Sequence, residues 1–267
     1  MIESNTSTKI SVGRITFENH MGETLTGDLY LPDNNPQSGV VFGHCFTCSR
    51  HTRVITASCE ALYHAGIATL RFDFSGNGQS QGNFAETTYS KHVKEMQLAI
   101  QQLKHYGVEN IGLAGHSMGA AISLLTASRT PEVGAVCTLA GRFSELDVSG
   151  LLGETKVEEL RQTGQIHFSS RGRNLMLGND FFDDVKEYNL ADTVSHLNIP
   201  LLAIHGEEDD IISVSEVYQS RQLKPENTTI EVLKGADHMF SQEAHRTHIA
   251  ELLTGWFGQH LKARDQR

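Results

Sequence analysis

Short apolar runs alternate with helix-patterned segments through most of this chain, and that beat limits the fold more than any other feature. "SGVVFGHCF", "IATLRF", "ENIGLAG", "EVGAVCTLAG", "IPLLAIHG" and "TTIEVL" have strand length and are largely apolar. Between them lie "TRVITASCEALYHAGI", "ETTYSKHVKEMQLAIQQLKHYG", "GAAISLLTAS", "SVSEVYQSRQL" and "SQEAHRTHIAELLTGWFGQHL", with helical spacing. Buried strands separated by helices imply a mostly parallel sheet covered on both faces, with right-handed crossovers and ligands at the strands' carboxyl ends. The opening segment, "KISVGRITFENHMGETLTGDLYLPDNN", alternates apolar and polar residues around "NHMGE" and reads as an antiparallel pair. At 267 residues, one large α/β domain accounts for the chain.

The beat breaks once. From 142 to 195 the sequence is more polar, and "TGQIHFSSRGRNLML" reads as a hairpin between helical stretches, "ETKVEELRQ" before it and "NDFFDDVKEYNLADTV" after. The expected organisation is therefore a core of residues 1–141 and 196–267 with an inserted cap of 142–195. The cap leaves from the strand edge where ligands gather.

At that edge stands "GLAGHSMGAAISL". A strand passing into a helix through one residue forces unusual backbone angles on Ser117, and Gly115 and Gly119 remove the side chains that would collide there. The hydroxyl is then exposed at a helix N-terminus, whose free N–H groups favour developing negative charge. A serine hydroxyl needs a base. Of the 14 histidines, His238 is singled out because "LKGADHMF" follows the last strand at the same edge. The imidazole needs a carboxylate, and the loop after "IPLLAIHG" offers Glu207, Glu208, Asp209 and Asp210. Spacing alone leaves Asp209 and Asp210 open. Oxyanion donors are expected from the backbone N–H of Met118 and from the loop "VVFGHCFTCS".

Composition narrows the partners. The formal net charge of −10 disfavours nucleic acid and anionic membrane surfaces. No apolar run has the length of a membrane span, and "MIESNTSTKISVGR" lacks the apolar stretch of a signal peptide, so a cytoplasmic protein without membrane insertion is expected. The four cysteines, Cys45, Cys48, Cys59 and Cys137, suit a reducing compartment; Cys45 and Cys48 form a C-x-x-C for which packing or loop roles are expected. Nothing completes a zinc site. No metal or organic cofactor is expected, the partner is a small molecule, and a homodimer is left open.

In order along the chain, "GHCF", "RFDFSGNGQSQG", "GHSMG", "HGEEDD" and "GADHMF" make the sequence resemble an α/β-hydrolase of the serine-esterase type over essentially its whole length. The resemblance implies an eight-stranded, mostly parallel sheet with a small cap. The family pattern H-G-x-x-D falls on His205, Gly206 and Asp209 and so selects Asp209 as the acid. The family's H-G-F loop falls on His44, Cys45 and Phe46, which maps the second oxyanion donor to the Phe46 N–H, with Cys45 in place of the usual glycine. Gly76, Gly78 and Ser80 shape the loop beside the nucleophile, and Asp73 anchors it. The cap is similar to those of cinnamoyl (feruloyl) esterases and small bacterial acyl-ester hydrolases. The implied activity is carboxylic-ester hydrolysis through an acyl-enzyme on Ser117, with His238 and Asp209. A thioesterase or a serine aminopeptidase-like peptidase would use the same residues; the acids Glu154, Glu158, Glu159, Asp180, Asp183 and Asp184 of the cap would then be the place to hold an amine. A non-catalytic binding protein on the same fold is the reading from another class. Phe143, Leu146, Phe168, Leu175, Phe181 and Phe182 either line a pocket or form the cap's own core.

Overall fold

A computed structural model describes residues 12–146 and 149–261; the side chains of 149–154 lie outside that description. The expected strand residues Lys9 to Ser11, the polar start of the chain and the Glu154 side chain therefore fall outside the described part.

The strands are β1 (Val12–Glu18), β2 (Thr24–Tyr30), β3 (Ser38–Gly43), β4 (Ala68–Phe72), β5 (Asn110–His116), β6 (Val133–Leu139), β9 (Leu201–Gly206) and β10 (Thr228–Leu233), joined in the order β1-β2-β4-β3-β5-β6-β9-β10. The β1–β2 and β2–β4 pairs are antiparallel and the rest are parallel. The eight-stranded, mostly parallel sheet expected from the sequence is thus present. The central strands β4, β5 and β9 are buried at nearly every position because helices cover both faces, which is why they carry no polar alternation.

Two apolar clusters lie on the two sides of the sheet. On one side, Val54, Ile55, Cys59 and Leu62 of α1 (Arg53–His64) pack with Ile249, Leu253 and Phe257 of α8 (Glu243–His260). On the other, Val93, Met96 and Ile100 of α2 (Tyr89–His105) pack with Ala121, Ile122 and Leu125 of α3 (Met118–Ala127), and Val217 of α7 (Ser215–Leu223) joins them. Thr88 caps α2 by accepting the Lys91 N–H.

Between β6 and β9 the chain leaves the sheet. It forms α4 (Ser149–Thr163), the antiparallel pair β7 (Gln165–Ser170) and β8 (Arg173–Gly178), α5 (Asn179–Lys186) and α6 (Leu190–Ser195). The helical stretch read over "NDFFDDVKEYNLADTV" is two helices. Asn189 ends the first possibility of continuity by taking an extended conformation and accepting the Asp192 N–H as the cap of α6. This excursion is tied down at its start by Glu216 of α7, which accepts the N–H groups of Phe143 and Ser144 and the Ser144 hydroxyl. At its other end Asp184 accepts the Ser90 N–H at the start of α2.

Candidate active site

Ser117 occupies the single residue between β5 and α3, with φ 57° and ψ −116°. Such angles are costly for a non-glycine residue and persist where the surroundings enforce them. Here the enforcement is visible in the flanking glycines. A Cβ on Gly115 would stand 2.0 Å from the Gly119 carbonyl oxygen, and one on Gly119 would stand 2.2 Å from the Gly43 carbonyl oxygen. The strand, the turn and β3 are packed backbone to backbone, and the serine is lifted above the sheet edge.

The loops after β9 and β10 meet beside it. A Cβ on Gly206 would lie 2.3 Å from the Ala236 carbonyl oxygen. That proximity sets the Asp209 carboxylate against His238, whose Nδ1 lies 2.8 and 3.0 Å from its two oxygens. A carboxylate can only accept, so Nδ1 carries the proton and the Nε2 lone pair is left free. Asp209 also accepts the N–H groups of Ile211 and Ile212 at 2.9 and 2.8 Å, and its side chain is fully shielded. Burial alone would raise this carboxyl. The hydrogen bonds from His205, His238 and Ile212 outweigh it and hold Asp209 well below the usual carboxylate range. Asp210, the alternative left open by spacing, is exposed. Among the described residues no hydrogen bond joins Ser117 Oγ to His238; such contacts are often long without substrate.

Two histidines reinforce this arrangement, and sequence reading gave neither a role. His205 Nε2 lies 2.9 Å from the Ile212 carbonyl and 3.1 Å from Asp209 Oδ2, so it donates and gives the carboxylate a second partner. The spacing of His205 and Asp209 was the available signal. His116, immediately before Ser117, donates from Nε2 to the His238 carbonyl at 2.8 Å. It is fully buried, and burial, followed by the nearby His238, lowers its pKa to about 3. It therefore stays neutral and pins the His238 backbone to the end of β5. No sequence signal distinguishes it from the other histidines.

The loop after β3 brings Phe46 to the same place. His44 is buried, donates from Nδ1 to the Cys45 carbonyl at 2.7 Å and accepts the Phe74 N–H on Nε2 at 3.0 Å. Burial depresses its pKa, so this neutral tautomer is retained. Cys45 and Cys48, expected in packing or loop roles, are joined as a disulfide that brackets Phe46 and Thr47, and the Cys48 N–H closes the turn on the Cys45 carbonyl at 3.1 Å. The pair is a covalent staple across this loop, a loop role, but one that the expectation of a reducing compartment did not include. Asp73 anchors the neighbouring loop as expected, accepting the N–H groups of Arg50 and Gln79 and pairing with the Arg50 guanidinium.

Ser117, Met118 and Phe46 open on one cavity of about 270 Å³, walled chiefly by Tyr89, Leu146, Phe168, Leu177 and Phe181. Phe168 stacks on Phe46 with ring centroids 6.2 Å apart and planes 6° from parallel, and Phe181 packs on it at 5.5 Å. The apolar residues of the 142–195 segment therefore divide. Leu146, Phe168 and Phe181 line the cavity, Phe143 and Leu175 are buried in the core, and Phe182 packs edge-on against Phe181. Four of the acids of that segment are engaged elsewhere: Glu159 with Lys156 and the His167 N–H, Glu158 with Arg161, Asp183 with Lys186, and Asp184 with Ser90. Among the described residues no carboxylate lines the cavity.

Comparison with known proteins identifies the family and the fold. The family model described as BAAT / acyl-CoA thioester hydrolase C terminal matches residues 96–238, more than half of the chain, and that of serine aminopeptidase, S33, matches residues 34–150. Mitochondrial palmitoyl-protein thioesterase ABHD10 of Homo sapiens is 29% identical over 198 residues, 70% of this chain and 61% of that protein. This chain thus matches about three fifths of that relative's length. The esterase domain of a Rhodothermus marinus protein superposes with a TM-score of 0.74 at 28% identity, covering 95% of this chain and all of that one. Est1E of Butyrivibrio proteoclasticus, solved with ferulic acid, shares the fold, with a TM-score of 0.75 at 22% identity over 92% of this chain and 98% of that one.

Proposed function

This chain is an α/β-hydrolase of the serine-esterase type and belongs to the family described as BAAT / acyl-CoA thioester hydrolase C terminal, and from that premise we propose that it hydrolyses carboxylic esters through an acyl-enzyme on Ser117. The observation that carries this reading is the Asp209-held His238 beside the strained Ser117, with Phe46 and Met118 on the same cavity.

In this mechanism the free Nε2 of His238 takes the Ser117 proton as Oγ attacks the acyl carbon. The N–H groups of Phe46 and Met118 receive the oxyanion, each contributing on the order of 2.7–4 kcal/mol in the transition state. His238, now a cation stabilised by Asp209, protonates the departing alcohol. Water deprotonated by His238 then releases the acid and regenerates Ser117. The residues carry every proton transfer, so the reading invokes no cofactor. Burial of His116 in neutral form serves the same end, since a second cation beside His238 would oppose its protonation.

Thioesters are the second substrate class, favoured by the matched family and by the thioesterase relative. Departure of a thiolate needs less help from His238 than departure of an alkoxide, and the same oxyanion donors serve. The peptidase alternative keeps the serine aminopeptidase match over residues 34–150, but an α-amine would find no carboxylate among the described residues of the cavity. A cytoplasmic location stays part of the proposal. Among the described residues no helix is long and apolar enough to cross a membrane.

The deciding experiment is Ser117→Ala assayed with a short p-nitrophenyl ester and with the matching thioester. Turnover is expected to drop by about 10³-fold or more with the unfolding midpoint intact. Retained turnover of both substrates would remove Ser117 from the mechanism, and labelling of Ser117 by a fluorophosphonate separates a hydrolase from a binding protein on this fold.

A further inference from the structure

A second cavity of about 720 Å³ lies on the other side of Thr47 from the aromatic one. Thr47 lines both, and its hydroxyl is hydrogen-bonded at 2.8 Å to that of Ser170 at the end of β7. Ser169 and Ser170 face the aromatic cavity; the next turn of the hairpin sends Arg171 and Arg173 into the second one. Met239, the residue after His238, also lines it. The second cavity therefore begins beside the residue that hands a proton to the leaving group, while the aromatic cavity begins at the nucleophile.

Its walls carry Arg53, Arg171, Arg173 and His51 and, among the described residues, no carboxylate. This contrasts with a chain whose net charge is −10. His51 faces Asp28 Oδ2 at 4.0 Å and burial lowers its pKa, so the arginines carry the cavity's charge, and the nearby cations paired with carboxylates are others. Arg50 pairs with Asp28 and Asp73, Arg71 with Asp28, and Lys91 with Glu23. Asp237, next to His238, turns its carboxylate onto the Ser241 N–H. Arg53, Arg171 and Arg173 have no carboxylate within ion-pair distance among the described residues.

Two of them, Arg171 and Arg173, are nonetheless held by neutral groups. Arg173 donates to Asn77 Oδ1 at 3.1 Å and to the Gly76 carbonyl at 2.8 Å, and its guanidinium lies 5.5 Å from the Phe84 ring centroid. Arg171 sits at the hairpin tip with φ 52° and reaches Met239 Sδ at 3.5 Å. Neutral anchors fix a guanidinium without cancelling its charge, and the N–H groups of Arg173 not given to Asn77 and Gly76 remain to meet an anion.

We infer that this cavity receives the leaving half of the substrate, and that this half carries an anionic group, a carboxylate or a phosphate. The inference rests on the hydrolase reading above and deepens it by naming the substrate class. The acyl group enters the aromatic cavity, the scissile bond lies at Ser117, and the alcohol or thiol departs toward Arg171 and Arg173.

The test uses one acyl group on a set of phenols: the 4-carboxyphenyl, 4-phosphonophenyl, 4-carbamoylphenyl and 4-(trimethylammonio)phenyl butyrates. At low ionic strength kcat/KM for at least one anionic ester should exceed that for the neutral carboxamide by about tenfold, the size of a charge-assisted hydrogen bond. The cationic ester should be the poorest of the set, and added salt should shrink the preference. Which anionic arm leads tells carboxylate from phosphate. Arg171→Gln, at an exposed tip, and Arg173→Gln should each reduce the anionic-to-neutral ratio at least threefold. Equal kcat/KM for the neutral and both anionic esters overturns the inference, as does a preference that survives both substitutions. If the wild-type protein hydrolyses none of the four esters, it is the hydrolase reading that fails.

Discussion

The site has two walls built by different means. The sheet wall, made by the loops after β3, β5, β9 and β10, is held by backbone contacts that only glycine permits and by hydrogen bonds between 2.7 and 3.1 Å to buried groups. The hairpin wall, β7 to β8, touches the site through the half-buried Phe168 ring, Leu177, two serines and two arginines. The first has almost no freedom to vary; the second can change its side chains without disturbing the sheet. Rigid placement suits groups that must meet a transition state within a fraction of an ångström, and exchangeable apolar or charged contacts suit the choice of substrate.

Substitutions on the two walls should therefore separate. The largest effect is expected from Asp209→Asn, which removes the acceptor that fixes the His238 tautomer. kcat should fall by about 10⁴-fold with little change in KM, and a drop of less than tenfold in steady-state assays would show that His238 is oriented by other means.

Acid should weaken the same wall next. His116 has a folded-state pKa of about 3 against an ordinary value of 6.5, and His44 and His92 are depressed in the same direction by burial. Between those values the unfolded chain binds more protons than the folded one, so stability present above pH 6.5 is lost as the pH falls from there toward 3. Urea midpoints at pH 7.5, 6.0 and 5.0 should decline in that order; a constant midpoint would contradict the neutral buried state of these rings.

Opening the Cys45–Cys48 disulfide is expected to cost about 2 kcal/mol of stability, the loop-entropy value for so short a ring. It should also lower kcat more than it raises KM, because the staple brackets the Phe46 N–H. Assays with and without a dithiol, repeated on Cys45→Ser, read this directly, and identical kinetics in both states would make the bond purely structural. The smallest effect belongs to the hairpin. Phe168→Ala should lower kcat/KM about fivefold for aryl or medium-chain acyl esters while acetyl esters change little, given that only part of this ring's burial is lost. An equal loss for all acyl groups would place Phe168 with the rigid wall instead.

Much of the rigid wall was readable from the chain because its parts are local. The Gly115–Gly119 turn, the loop carrying Asp209 and the loop carrying His238 each announce themselves within a few residues of a strand end. His205 was marked only by its spacing to Asp209, and His116 by nothing. The bond from His116 to the His238 carbonyl spans 122 positions, and nothing in a row of 14 histidines marks the one that makes it. The break between α5 and α6 was missed because the apolar spacing continues through it and only the Asn189 cap reveals the stop.

By itself, the sequence determined the parallel sheet, the turn at Ser117 and the order of the residues beside it, since strand burial, steric exclusion at glycine and loop position are short-range properties. Tertiary structure alone decided which cysteines are joined, which aromatic rings of 142–195 face the cavity and which arginines lack a carboxylate. Arg50 and Arg173 are the same residue type. One is neutralised because Asp28 and Asp73 fold against it, and the other keeps its charge because Asn77 and Gly76 do. Charge compensation depends on distances between segments far apart in the chain, and those distances exist only once the chain has folded.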